Sequence, residues 1–334
     1  MPTSRKLAQL FLAFTAMLLL TAVGRAADPG LIYPASSEVS DQKAGSILIY
    51  NIYSSSTSNP GAQNTRFNLT NTSSTSAVFV HLFFVEGSSC NVADLNTCLT
   101  ANQTTTFLAS ALDPGTSGYL VAIAVDGTTG LPVNFNFLIG DEFVKFETGH
   151  FANLGAEAFA KLTDTNVVST DGSLAALFFD GLPLAGSYNR VPRVLAIDNI
   201  GSPRDGNVVR IWINRIGGNL ATSAASIGAL FGILYDDAEG AHSFTIPSSA
   251  CQRAATLSND FPRTAPRFEL VIPAGSTGWM KFWSTSDIGI LGASINFNAN
   301  AATAAGAFNS GHNMHKLTLS TAGNYVMPIF PPSC

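Results

Sequence analysis

Short apolar runs, each ended by Gly, Pro, Asn or Ser, recur along almost the whole chain. Residues 78–85 are apolar except for His81, and residues 119–125 are apolar throughout and end at the turn dipeptide Asp126-Gly127. Runs of this length between turn-forming residues are typical of strands. A run that is apolar at every position indicates a strand buried on both faces. The sequence therefore predicts strands packed between other layers of the protein.

The same rhythm continues through the second half of the chain. Five further runs fit short strands: 208–213, 230–235, 268–272, 279–283 and 288–297. A parallel α/β fold would need helical patterns between the strands, and only 153–162 and 221–229 read as short helices. We therefore expect an all-β protein built from antiparallel β-sandwich, jelly-roll-like sheets.

The two halves resemble each other in chain order, which indicates an internal duplication. Five matches carry this: Asn51 with Asn199, Arg66 with Arg210, Gly118 with Gly278, Phe135 with Phe297, and His150 with His312. Their offsets are 148, 144, 160, 162 and 162 residues. The jump after the second match predicts an insertion between Ile216 and Cys251. We expect two tandem β-sandwich domains, at 45–165 and 193–334, joined by a linker at 166–192.

The first 26 residues have the pattern of an export signal. Arg5 and Lys6 precede a largely apolar run of 17 residues at 7–23, and Gly24-Arg25-Ala26 offers small residues for cleavage. The alternative is an uncleaved anchor, which needs about 20 apolar residues. We predict a protein secreted to the cell surface or exterior, with the periplasm also compatible. No integral membrane segment is expected after cleavage, and residues 27–44 form a polar N-terminal arm.

Composition restricts the classes of partner. Charged residues are 12% of the chain and hydrophobic residues 46%, which excludes a disordered chain that lacks surface to bury. Three of the 17 basic residues lie in the signal segment, so the mature chain keeps 14 basic and 22 acidic residues and a net charge of −8. This charge disfavours nucleic acid and anionic membranes, which both require basic patches.

All four cysteines lie in the exported part. An oxidising compartment favours disulfides, and four cysteines allow three pairings. The short segment 91–97 looks like a closed loop, so we favour Cys90–Cys98, which leaves Cys251–Cys334. Zinc is the alternative, but no Cys-x-x-Cys pair is present.

No catalytic motif appears in the sequence. It has no Gly-x-Ser-x-Gly, no His-Glu-x-x-His and no phosphate-binding loop, so we predict no catalytic residues and no cofactor. His312 and His315 are the only close histidine pair; they would share a helix face and bind a metal there, but would point oppositely on a strand. His81 lies in an apolar run and is expected to be a hydrogen-bonded interior residue.

The densest acidic cluster is formed by Asp236, Asp237 and Glu239. Calcium prefers several oxygen ligands, so a structural calcium site is one interpretation. A solvated turn is the other, and the spacing fits no EF-hand. Paired carboxylates could also serve glycoside hydrolysis, but groups this close in sequence rarely flank one bond.

Trp279, Lys281 and Trp283 alternate with Met280 and Phe282. If the latter two face the core, the other three line the opposite face and could stack on sugar rings. The alternative places both tryptophans inside the sandwich or between the domains, because the aligned positions in the first half look like core.

Three classes of function fit these features. The first is a non-catalytic surface protein, structural, adhesive or self-assembling, whose arm could donate a strand to a neighbour. The second is a carbohydrate-binding β-sandwich that uses Trp279 and Trp283 to bind surface glycans. The third is a secreted hydrolase whose site is dispersed in sequence.

Overall fold

The computed structural model describes residues 28–32 and 39–333. The predicted signal peptide, residues 27 and 33–38 of the arm, and Cys334 lie outside these residues. The described chain is 53% β-strand and 4% helix, in several antiparallel sheets, which confirms the all-β prediction. The N-terminal arm contributes β1 (Leu31–Ile32), which pairs with a strand of the same chain near its C-terminus.

The first half of the chain forms two facing sheets. Sheet I has the order β10-β2-β7-β4-β5 and sheet II the order β6-β3-β8-β9. The strands are β2 (Ile47–Ser54), β3 (Asn64–Asn71), β4 (Val78–Glu86), β5 (Val92–Leu99), β6 (Thr104–Leu108), β7 (Ser117–Val125), β8 (Leu138–Lys145), β9 (Phe151–Gly155) and β10 (Glu157–Phe159). Tyr50, Phe67 and Leu120 belong to the core between the two sheets.

The second half repeats this arrangement. Sheet III has the order β1-β23-β13-β20-β17-β18 and sheet IV the order β19-β14-β21-β22. The strands are β13 (Pro192–Gly201), β14 (Asn207–Ile216), β17 (Gly228–Asp236), β18 (Ala241–Ser248), β19 (Gln252–Thr256), β20 (Thr277–Ser284), β21 (Gly289–Asn298), β22 (Ser310–Asn313) and β23 (His315–Leu319). Leu195, Leu234 and Met280 belong to the core between sheets III and IV.

The two halves have the same strand order, so the duplication is visible in the topology. Taken in chain order, β2 to β10 occupy the positions of β13, β14 and β17 to β23. The first strand of each set is also broken by a bulge, at Asn51 and at Asn199. Two extra strands of the second half, β15 (Gly218–Asn219) and β16 (Ser223–Ala224), fall in the segment predicted as an insertion.

A fifth sheet lies between the halves. Sheet V has the order β11-β12-β24-β15-β16, and its remaining strands are β11 (Val167–Val168), β12 (Leu174–Phe178) and β24 (Asn324–Pro328). Segment 166–192, expected to be a linker, thus supplies two strands. Ala175 and Leu177 of β12 share a core with Val121 of sheet I and Leu291 of sheet IV. Sheet I is therefore buried on both faces.

Within residues 28–32 and 39–333, helical structure is limited to single turns. They are α1 (Ala109–Leu112), α2 (Phe268–Val271) and a 3-10 turn at Pro203–Asp205. The helices predicted at 153–162 and 221–229 are wrong, because both segments contain strands. In β9, residues alternate between exposed and buried, and Ala152 and Leu154 join a core that the two halves share. Among the described residues, no helix is long and apolar enough to span a membrane.

The predicted disulfide pairs Cys90–Cys98 and Cys251–Cys334 are wrong. Cys90 and Cys251 are both free, buried thiols, while Cys98 is disulfide-bonded. Residues 92–98 run along β5 instead of closing a loop, and six steps of extended chain span about 20 Å. A disulfide needs Cα atoms within about 7 Å. Cys251 instead approaches Cys90 in the core between the halves, and burial raises the pKa of its thiol.

Candidate functional site: an aromatic groove on the second sandwich

The outer face of sheet III carries a row of large aromatic side chains. Along β20, Met280 and Phe282 are fully buried in the sandwich core, whereas Trp279 is 38% exposed. Lys281 and Trp283 are half-buried on the same side as Trp279. Successive side chains of a strand point to opposite faces, so the alternation predicted from the sequence is confirmed. The alternative, with both tryptophans inside the sandwich or between the domains, is wrong, because neither belongs to a core.

Each tryptophan pairs with a ring on the neighbouring strand. Trp279 lies opposite Tyr235 of β17, and their rings stack at 4.4 Å between centroids with an interplanar angle of 9°. Trp283 lies opposite Phe231, with centroids 5.1 Å apart. Residues directly opposite in an antiparallel pair have close side chains, so the β17–β20 register creates two aromatic platforms on one face.

Polar groups lie between and beside these platforms. The Lys281 ammonium pairs with Asp28 of the arm, with 2.6 Å between Nζ and Oδ1. Asp236, the last residue of β17, and Glu239, in the turn that follows, line the same groove, whose volume is about 730 Å³. We call this surface the aromatic groove and define it by Phe231, Tyr235, Trp279, Lys281 and Trp283. Apolar walls with a few placed polar groups are typical of small-molecule sites.

The corresponding face of the first half is covered. The aligned positions Tyr119, Val121 and Ile123 on β7 are fully buried, because sheet V lies over them. In the second half, sheet V does not cover the face that holds the groove. The duplication has therefore left one sheet face open, and that face carries the aromatic side chains.

The acidic cluster beside the groove forms a turn. Asp236 accepts hydrogen bonds at Oδ1 from the backbone N–H groups of Ala238 (3.0 Å) and Gly240 (2.6 Å). The bond from Gly240 is the main reason that the pKa of Asp236 is lowered. Asp237 and Glu239 point to solvent, and Glu239 has a left-handed backbone with φ of 66°. The three carboxylates predicted to hold calcium do not converge on one point.

Two histidines have structural roles. His81 is 2% exposed and lies 2.7 Å from Asp94, between Nε2 and Oδ2, which confirms the predicted hydrogen-bonded interior residue. Burial lowers the pKa of its ring. The His150 ring is buried and contacts the carbonyl oxygen of Val208 at 2.8 Å, so it bridges the two halves.

On a single strand His312 and His315 would point in opposite directions. In the structure they point to the same side. Their ring centroids are 5.7 Å apart. His312 is on β22 of sheet IV and His315 on β23 of sheet III, and Met314 between them is buried in the core. The chain crosses from one sheet to the other at Met314, which breaks the strand alternation.

Sequence reasoning missed half of the aromatic groove. Phe231 and Tyr235 lie in the predicted strand 230–235, where Leu230 and Leu234 face the core. The period of two in that run could have placed both rings outside. Their position opposite Trp283 and Trp279, and the approach of Asp28 from the arm, depend on register and on long-range pairing that local patterns do not contain.

Comparison with known proteins gives no family for this chain. No protein-family model matches it, and no curated protein does. Among solved structures, a mutant of the major pilin from Streptococcus pyogenes aligns at 11% identity and a TM-score of 0.21. That alignment covers 85% of this chain and 98% of the pilin. A TM-score this low does not establish a shared fold.

Proposed function

We propose that this chain is an exported, non-catalytic surface protein that binds carbohydrate through the aromatic groove. One observation carries the proposal: Trp279 and Trp283 lie on the same side of β20, on a sheet face that is open although the corresponding face of the first half is buried. Each is backed by a second ring across the strand pair.

The chemistry of the groove suits a sugar. A pyranose ring has an apolar C–H face that stacks on an indole and a rim of hydroxyl groups. Trp279 and Trp283 are four residues apart on β20, with Lys281 midway between them. Their side chains therefore lie about 13 Å apart along the strand. Lys281, Asp236 and Glu239 supply donors and acceptors for hydroxyl groups between and beside them. This spacing favours an oligosaccharide over a single sugar.

Replacing either tryptophan should weaken glycan binding. We expect Trp279→Ala and Trp283→Ala each to lower the affinity for the best-bound oligosaccharide at least about tenfold, because each removes one stacking platform. A glycan array identifies the oligosaccharide, and isothermal titration calorimetry with the mature protein measures the affinity.

Phe143→Ala is the matched control. Phe143 lies on sheet II of the first half and has the same exposed fraction as Trp279, 38%, so this variant should bind like wild type. Glycan binding that survives Trp279→Ala and Trp283→Ala would reject the groove. Association of the groove with a second copy, seen as a dimer that either substitution disrupts while no glycan binds, would instead assign this face to self-assembly.

A further inference from the structure

We propose that Asp198, His312 and His315 bind a divalent transition-metal ion of the zinc class, with a coordination position left open to an external ligand. Two imidazoles and one carboxylate are a common ligand set for such ions. In the described part of the chain, these are the three His, Cys, Asp or Glu side chains whose ligand atoms lie within 4.8 Å of one another. This proposal does not depend on carbohydrate binding.

The two histidines are brought together by the crossing between the sheets. β22 pairs with β21 in sheet IV and β23 pairs with β13 in sheet III. Met314, 1% exposed, anchors the crossing in the core. Because this anchor fixes the backbone on both sides, both rings are held on one side of the chain at the edge of the sandwich.

A bulge in β13 supplies the carboxylate. The pairing of β13 with β20 shifts between Ile197 and Ile200, and Asn199 has a left-handed backbone with φ of 47°. Bulges redirect side chains that would otherwise follow the strand alternation. Here the extra residues carry Asp198 toward the two rings. In the corresponding bulge of the first half, Asn51, the counterpart of Asn199, is buried, and the bulge carries no carboxylate.

The distances fit metal coordination better than direct hydrogen bonding. Oδ1 of Asp198 lies 3.5 Å from Nε2 of His312 and 3.3 Å from Nε2 of His315. Both distances exceed the usual range of N–H···O hydrogen bonds, about 2.7–3.2 Å. Two ligand atoms each about 2.05 Å from a tetrahedral zinc ion lie about 3.3 Å apart.

His312 presents an unprotonated ring nitrogen to the site. Its Nδ1 lies 3.0 Å from the carbonyl oxygen of Asn313, which can only accept a hydrogen bond. The proton of the neutral ring is therefore on Nδ1, and Nε2 can bind a metal. A backbone carbonyl on the second nitrogen is a common orienting contact for metal-bound histidine. Ser294 Oγ, 3.3 Å from the same Nε2, occupies the electron pair of this nitrogen when no metal is bound.

The site is open to solution on the same sheet as the groove. The side chains of Asp198 and His315 are 63% and 55% exposed. His315 lies opposite Ala196, which in turn lies opposite Lys281 of the aromatic groove. Two strand spacings, about 10 Å, therefore separate the metal site from the groove.

Metal titration of the chelator-treated mature protein tests the proposal without any glycan. We expect one Co²⁺ ion per chain with the intense visible absorption of tetrahedral cobalt, displaced by one equivalent of Zn²⁺. We expect Asp198→Asn, His312→Ala and His315→Ala each to weaken Zn²⁺ binding at least about tenfold. Zn²⁺ should raise the melting temperature of wild type and not that of the variants.

His242→Ala is the matched control, since His242 also faces a carboxylate, at 3.6 Å from Asp236, but has no second histidine beside it. It should bind Zn²⁺ like wild type. Far-UV circular dichroism checks that each variant is folded. The proposal is overturned if wild type binds neither ion, if it binds only with the octahedral cobalt spectrum, or if folded His312→Ala and His315→Ala variants retain full affinity.

Discussion

Trp212→Ala is expected to lower the free energy of unfolding by about 3–5 kcal/mol. Trp212 is 2% exposed on β14 of the second half, and its indole stacks on Phe146 of the first half at 5.1 Å with an interplanar angle of 20°. The Arg210 guanidinium lies over both rings, 5.0 Å and 5.3 Å from their centroids. Truncation to alanine therefore removes a packed ring from the contact between the halves.

Urea-induced unfolding followed by circular dichroism measures this change. Phe143→Ala serves as the control, because removal of this partly exposed ring should lower the free energy of unfolding by less than about 1 kcal/mol. If Trp212→Ala costs no more than Phe143→Ala, the two halves do not depend on this stack for their docking.

Lys316→Met is expected to destabilise the protein strongly at pH 8 and weakly at pH 5. Nζ of Lys316 lies 2.7 Å from Oε1 of Glu157, which is fully buried. Glu157 is on β10 of the first half and Lys316 on β23 of the second. Removing one partner of a buried pair leaves an uncompensated charge, at a cost of about 3–5 kcal/mol.

The pH dependence follows from the pKa of Glu157. Burial raises this pKa to about 7, and Lys316 opposes the rise. The folded-state pKa thus exceeds the unfolded value of about 4.5. The stability from Glu157 is therefore complete below pH 4.5 and is lost as the pH rises through 7. At pH 5 the carboxyl is neutral in the fold and needs no cation, whereas at pH 8 the loss of Lys316 removes its compensating charge.

Urea unfolding at both pH values separates this effect from simple loss of packing. Lys145→Met is the control, because the ammonium of Lys145 donates to the carbonyl oxygen of Gly61 and not to a carboxylate. This variant should have a small effect that is the same at both pH values. Adding Glu157→Gln to Lys316→Met should recover most of the loss at pH 8. Equal destabilisation by Lys316→Met at pH 5 and pH 8 would contradict the assignment.

Local patterns were sufficient for the strands and for the direction of side chains within one strand. The alternation of Met280 and Phe282 with Trp279 and Trp283 needs only the period of two, so the outward face of β20 was predictable. The turn after residue 235 was also visible, and Asp236 closes it. The duplication was readable from the matches of Asn51, Arg66 and Gly118, whose counterparts lie on the equivalent strands. The other two matches are not equivalent, because Phe135 and His150 precede β8 and β9 whereas Phe297 and His312 lie within β21 and β22.

The failed predictions all concern what lies next to a segment in space. The polar, short segment 91–97 looks like a loop in the sequence. In the structure, residues 92–99 pair with β4 and form β5, so Cys98 lies far along the strand from Cys90. His312 and His315 share a side only because the chain changes sheets at Met314. The outer face of sheet III is open because β12 and β24 pack on sheet I of the first half and not on sheet III. No local pattern in residues 279–283 reveals this.

The most direct test of the carbohydrate-binding groove uses the indole N–H signals of the three tryptophans. In ¹⁵N-labelled protein, titration with the oligosaccharide selected on the array should shift the signals of Trp279 and Trp283 and leave that of the buried Trp212 in place. Saturable glycan binding that leaves the Trp279 and Trp283 signals unmoved would contradict the account.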